Sequence, residues 1–231
     1  MRWSKIKNII ILLLVIVNLF LLSMVGVRSW QSREQERETW QQTVALAEKR
    51  GLTFLPREMP QAAMPGRVSL TPEGPLEEFV DLTGHPTGED PAQTGVELLA
   101  QLGYEGKVIR DNGSTVEYAP VWNGLVVHGW STYLTYDETG FLTAEIRPLR
   151  GGAETQIPGT PISAATALTR FMETLNEEGY VCSQVVDLYP GYTVGGGAEG
   201  LTLNPVWYVE TDAQPRYFAV DGYTGGVTTI G

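Results

Sequence analysis

Twenty consecutive residues, Asn8 to Val27, carry no charge, and they constrain this chain more than anything after them. At ~1.5 Å per residue a helix of that length reaches about 30 Å, the thickness of a bilayer's hydrocarbon core. Only a helix crosses there as a lone segment, because each backbone N–H and C=O must find its partner inside the segment. A cleaved signal peptide has a shorter apolar region, ~7–15 residues, followed by a small-residue cleavage site. Val27-Arg28-Ser29 is a poor one, and no cysteine lies nearby for lipid attachment. Residues 1–28 are therefore expected to be an uncleaved membrane anchor, with Trp3 and Trp30 as interfacial anchors at its two ends. Arg2, Lys5 and Lys7 precede the run, and Arg28, Arg33 and Arg37 follow it, so flanking charge is nearly balanced. The very short leading segment tips the expectation toward a cytoplasmic N-terminus and an extracellular C-terminal domain.

Asn18 stands near the middle of the run, where a polar amide is costly unless it finds a partner. In a helix–helix contact it can hydrogen-bond across the interface, worth ~0.6–2 kcal/mol. Ser23 and Gly26 are small and lie about one turn apart, allowing close approach. Asn18, Ser23 and Gly26 are thus the candidate partner-binding residues. A second copy of the chain or a different partner's helix would satisfy the pattern.

Beyond Arg28 the balance is acidic: all 27 Asp and Glu lie there, against 12 of the 16 Lys and Arg. That argues against nucleic acid and against lying on anionic lipid. The one cysteine, Cys182, excludes an internal disulfide, and its apolar neighbours suggest a buried small side chain. Chemistry is sparse. His128 lies in an alternating strand, Val126-Val127-His128-Gly129-Trp130, and reads as a face residue. His85, in Thr83-Gly84-His85-Pro86, has Glu89 and Asp90 close by. Zinc sites normally need more His or Cys than this, so no metal is expected. The chain has no Gly-x-Ser-x-Gly, no His-Glu-x-x-His and no phosphate-binding loop. No catalytic residue and no cofactor is expected, and the chain reads as a non-enzyme.

Along the chain, Ser29 to Arg50 reads as a helix continuing outward, with Trp40, Val44 and Ala47 at helical spacing and Gly51 as its stop. It is expected to be a stalk, residues 29–51, docking on the domain through Trp40. The segment from Leu52 to Pro91 is proline-rich, with short strands near Val68–Leu70 and Glu78–Leu82. A helix over Pro91–Leu102 follows, then strands near Gly106–Arg110, Thr115–Trp122, Leu125–Tyr136 and Leu142–Pro148. Gly151–Gly159 reads as a linker. A second helix, Ser163–Glu178, has Pro161 before it and Gly179 after it. Strands near Val181–Leu188, Leu203–Thr211, Arg216–Val220 and Gly226–Ile230 complete the chain, with Gly191–Gly200 as a flexible connection. Two self-similarities suggest duplication: Ala119-Pro120-Val121-Trp122 with Asn204-Pro205-Val206-Trp207, and Asp137–Gly140 with Asp221–Gly225, both as Asp-led hairpin turns. The expected fold is α+β: an N-terminal transmembrane helix, then an extracytoplasmic domain of two repeated helix-on-antiparallel-sheet units. They cover residues 52–150, with an irregular proline-rich lead-in, and residues 151–231.

The opening Met1-Arg2-Trp3-Ser4-Lys5-Ile6-Lys7-Asn8-Ile9, followed by a span carrying Val17-Asn18-Leu19-Phe20-Leu21, resembles the start of the YycI proteins, members of the YycI/YycH group of membrane-anchored regulators of Gram-positive bacteria. The helix leading into Gly51-Leu52 and Leu55-Pro56 and the duplicated α+β layout are similar too. The second unit, with Pro205-Val206-Trp207 and Val220-Asp221 before Thr224-Gly225, resembles PepSY-type modules. Arg2 departs from the acidic residue of many relatives, and the glycines at 195–197 look like a local insertion. The resemblance implies two-component system regulation: association with a WalK (YycG) sensor histidine kinase, and with a YycH-like co-regulator, partly through membrane-helix contacts. The PepSY likeness implies an alternative, an extracytoplasmic ligand-binding or protease-inhibiting domain.

Overall fold

The computed structural model describes Leu14, Asn18 and residues 34–230, apart from 57, 61–62, 157–158 and 198–199. Among these residues the chain is α+β: three helices with a large mixed, mostly antiparallel sheet. No helix among the described residues is long and apolar enough to cross a membrane. The expected span lies outside them, save Leu14 and Asn18.

Helix α1 occupies residues 34–49. It stops at Gly51, whose φ of +84° lets Leu52 N–H reach back to the Ala47 carbonyl (3.1 Å) and Gly51 N–H to Glu48 (2.9 Å). Trp40 and Ala47 are buried on one face, and Trp40 meets Phe54 edge-on with ring centroids 5.3 Å apart. Helix α1 therefore packs on the domain through Trp40, as its spacing predicts.

The strands β1 (Thr53–Phe54), β2 (Arg67–Pro72) and β3 (Glu78–His85) follow. Helix α2 (Pro91–Gln101) starts where Asp90 accepts from Gln93 N–H (3.0 Å) and Pro91 occupies a position that needs no amide hydrogen. Next come β4 (Gly106–Asp111), β5 (Thr115–Trp122), β6 (Leu125–His128), β7 (Thr132–Asp137), β8 (Gly140–Ile146) and β9 (Gly151–Gln156). Leu98 and Leu99 of α2 pack on Val116, Tyr118, Leu134, Phe141 and Ile146, over strands ordered β4-β5-β7-β8-β3. Gly95 is required there, because a Cβ would overlap the Tyr118 hydroxyl, which donates to Ala92 O (3.0 Å).

Helix α3 (Ala164–Glu178) is capped by Ser163, which accepts from Thr166 N–H (3.2 Å), and ends at Gly179. The remaining strands, β10 (Gln184–Gly197), β11 (Gly200–Thr211), β12 (Tyr217–Asp221) and β13 (Val227–Ile230), form a meander beneath it. Leu168, Phe171 and Met172 bury against Val185, Trp207, Val209 and Phe218, in the same core that receives Trp40 and Phe54. A third core, of Val68, Leu70, Val127, Tyr192, Leu201 and Leu203, lies where β2 and β6 meet β10 and β11.

Four expectations need correction. Gly191–Gly200 is not a loose connection but the far half of a long hairpin, paired from Gly191↔Val206 to Gly197↔Gly200 and held by Leu201 and Leu203 against β2. Gly151–Gln156 is a strand on β2, not a linker. The single strand over Leu125–Tyr136 is two: Gly129, at φ +78°, breaks it, so β6 links β5 to β10 while β7 joins β5 and β8. Residues 181–183 precede β10, so Val181 is exposed and Cys182 only half-buried, its thiol donating to Gln184 O (3.3 Å).

Candidate functional site

A cluster of polar and aromatic side chains gathers around His128. The residue closes β6, which runs parallel to β10 with Val127↔Tyr192 and His128↔Thr193 in register. Its backbone N–H donates to the Tyr208 hydroxyl (3.2 Å), and that hydroxyl donates in turn to Tyr192 O. One phenol thus bridges two strands. Such close approach needs a residue without a side chain: a Cβ on Gly191 would lie 2.6 Å from Val126 O and 2.5 Å from the Tyr208 ring.

His128 is 4% exposed. Its Nε2 lies 3.1 Å from the Tyr189 hydroxyl, and its ring meets those of Tyr208 and Tyr217 at 4.4 and 4.9 Å between centroids. Burial, reinforced by the Lys107 ammonium and opposed by Glu117, lowers its pKa to about 4. Burial likewise raises the phenols of Tyr189 and Tyr208. Neither kind of group is poised to exchange a proton near neutrality. Beside the cluster opens a cavity of about 220 Å³, its polar and aromatic lining Lys107 of β4, His128, Tyr189, Glu210, Arg216 and Tyr217, its apolar lining Val108, Ile109, Ala119 and Val126. Arg216 Nε donates to Glu210 (2.9 Å), and its guanidinium lies 5.4 Å from the Tyr217 ring centre.

A second cavity, of about 250 Å³, lies at the end of α2 and is lined in part by Tyr104, Trp122, Arg147 and Arg150. Its arginines are committed: Arg147 to Glu77 and Glu145 at 3.0 and 3.1 Å, Arg150 to Glu78 at 3.6 Å.

The residues singled out from sequence fall elsewhere. Asn18 is helical and exposed, and its amide donates to Leu14 O (2.9 Å), within its own helix. Ser23, Gly26, Trp3 and Trp30 lie outside the described residues. His85 is exposed at the end of β3, opposite Phe141. Among the described residues no three His, Cys, Asp or Glu side chains converge as metal ligands do. Asp137 and Asp221 form turns as expected: Asp137 accepts from Thr139 N–H (2.7 Å), and Asp221 from Tyr223 and Thr224 N–H (3.0 and 2.7 Å).

No protein-family model matches the chain, and no curated protein matches it in sequence. The partners of His128 were missed from sequence because they stand 61 to 89 positions away on three other strands. The one local signal is Gly129, directly after His128, where a strand read as continuous turns aside.

Proposed function

We propose that this chain is a non-catalytic, membrane-anchored regulator of a WalK/YycG-type sensor histidine kinase, acting through helix contacts in the membrane and an outer sensing domain. A YycH-like co-regulator would join the same assembly. The observation that carries the reading is a strand-by-strand correspondence. Helix α2 leads into β4, β5, β7 and β8, adjacent in that order with the short β6 inserted after β5, as α3 leads into β10, β11, β12 and β13. Pro120-Val121-Trp122 lies in the second strand of the first series and Pro205-Val206-Trp207 in the second strand of the other. The Asp137 and Asp221 turns each join the third strand to the fourth. That supports two PepSY-like units in tandem, the layout that the YycI resemblance implies. The docking of α1 beside α3 supports a mechanical link between anchor and outer domain.

In the anchor, Asn18 donates one amide hydrogen to Leu14, its one bond among the described residues, and an amide has a second hydrogen and a carbonyl oxygen with which to recognise a partner helix. Full-length protein should co-purify with the kinase, and Asn18→Leu should reduce the yield severalfold. Equal capture by both would defeat the membrane-contact reading.

The cavity beside His128 favours the alternative, an extracytoplasmic ligand-binding or protease-inhibiting module. It predicts that residues 30–231, freed of the anchor, retain their target as well as the full chain does.

A further inference from the structure

The cavity beside His128 has more hydrogen-bond donors than acceptors. Lys107 Nζ stands 5.5 Å from the Tyr189 ring centre and has no carboxylate partner among the described residues. Arg216 spends Nε and Nη2 on Glu210, which leaves Nη1. The Tyr217 hydroxyl has no hydrogen bond among the described residues, and there His128 uses one ring nitrogen, on Tyr189. The single carboxylate of the lining, Glu210, is paired with Arg216 through Oε1, so Lys107 is the cation of the lining without a counter-charge among the described residues. A matching guest therefore brings acceptors and negative charge. The excess of positive charge is local, for the whole chain has 27 acidic residues against 16 basic ones.

Shape narrows the class. Tyr189 and Tyr217 present flat rings, and a volume of about 220 Å³ falls below the roughly 300–1,000 Å³ of sites for drug-sized ligands. The walls come from β4 and β6 on one side and β10, β11 and β12 on the other, between sheets that carry separate helix-covered cores. Such junctions are where ligand sites concentrate.

We propose that this cavity binds a small planar carboxylate, its charge paired with Lys107 and its flat face against the Tyr189 and Tyr217 rings. The inference rests on the sensing-domain reading above and names the class of molecule sensed.

The chain's two histidines make the test direct. Full-length protein in detergent, labelled with ¹³C at the His ring, should give one resonance from His128 and one from His85. Sodium benzoate should shift the His128 resonance saturably and leave that of His85 in place. Lys107→Met, at an exposed position, should weaken benzoate roughly tenfold, and Lys107→Arg should restore it. Benzamide, neutral and of the same shape, should bind all three proteins alike and more weakly than benzoate binds the native chain. No saturable shift at His128, a parallel shift at His85, or equal benzoate affinity in Lys107→Met would overturn the proposal. Benzoate binding without kinase capture would sink the kinase reading alone, and kinase capture without benzoate binding would sink this one alone.

Discussion

At the residue scale, His128 is held in the form that its surroundings tolerate. An unfolded imidazole titrates near 6.5, whereas burial beside Lys107 keeps the folded one neutral down to about 4. As pH falls between those values, the unfolded chain takes up a proton that the native chain does not. The stability is thus fully present above the unfolded value and lost as pH falls toward the folded one. The shift amounts to about 2 kcal/mol between pH 7 and pH 5. Urea denaturation of the native chain and of His128→Asn separates this from the carboxylates, which titrate in both proteins. The variant should be weaker near pH 7, having lost the Tyr189 bond, but should lose about 2 kcal/mol less on acidification. Parallel pH profiles would mean that the imidazole is not shielded. Lys107→Met should move the same profile in the opposite sense to Glu117→Gln, since the ammonium opposes His128 protonation and the carboxylate favours it.

At the element scale, α1 is fastened to the domain chiefly by Trp40, 2% exposed and packed on Phe54. Trp40→Ala should cost about 3–5 kcal/mol and open the helix to trypsin at Lys49 and Arg50. Trp40→Phe should cost much less, because the indole N–H has no acceptor among the described residues and the apolar contact largely survives. Equal losses in urea melts would show that the N–H matters after all. The elements readable from sequence are those whose instructions are local. Trp40, Val44 and Ala47 share one face of α1; Ser163 and Gly179 bracket α3; Asp90 and Pro91 start α2. The elements missed are held by remote partners. Gly151-Gly152-Ala153-Glu154-Thr155-Gln156 has no apolar alternation and one β-branched residue, Thr155, and becomes a strand because β2 lies beside it. The glycines at 195–197 likewise extend because Thr202, Leu201 and Gly200 face them. The His128 cluster belongs to the same class: Tyr208 and Tyr217 sit in readable strands and Tyr189 lies one residue past another, but nothing local tells which faces will meet.

At the scale of the whole molecule, the question is whether the two helix-covered sheets act independently. Each has its own core, around Leu99 and Phe141 in one and around Phe171 and Phe218 in the other. Between them lies the third core, to which β2, β6, β10 and β11 all contribute. The parallel β6–β10 pairing makes one hydrogen-bonded path from β13 to β3. That junction is narrow, only two register pairs long, and depends on Gly191 and on the Tyr208 hydroxyl. An Ala at 191 would press on the Val126 carbonyl, a backbone atom that cannot rotate away, and overpacking of this kind costs about 1–3 kcal/mol. The native chain should therefore unfold in a single calorimetric transition, whereas Gly191→Ala should separate it into two as the sheets lose their common edge. Phe171→Ala, deep in the α3 core and away from the junction, should lower the midpoint by a larger amount but leave one transition. Two transitions in the native chain, or a single sharp one in Gly191→Ala, would show that cooperativity does not pass through β6 and β10. The outcome bears on the proposed sensing role, in which a ligand between the sheets would act on α1 through the α3 core that holds Trp40.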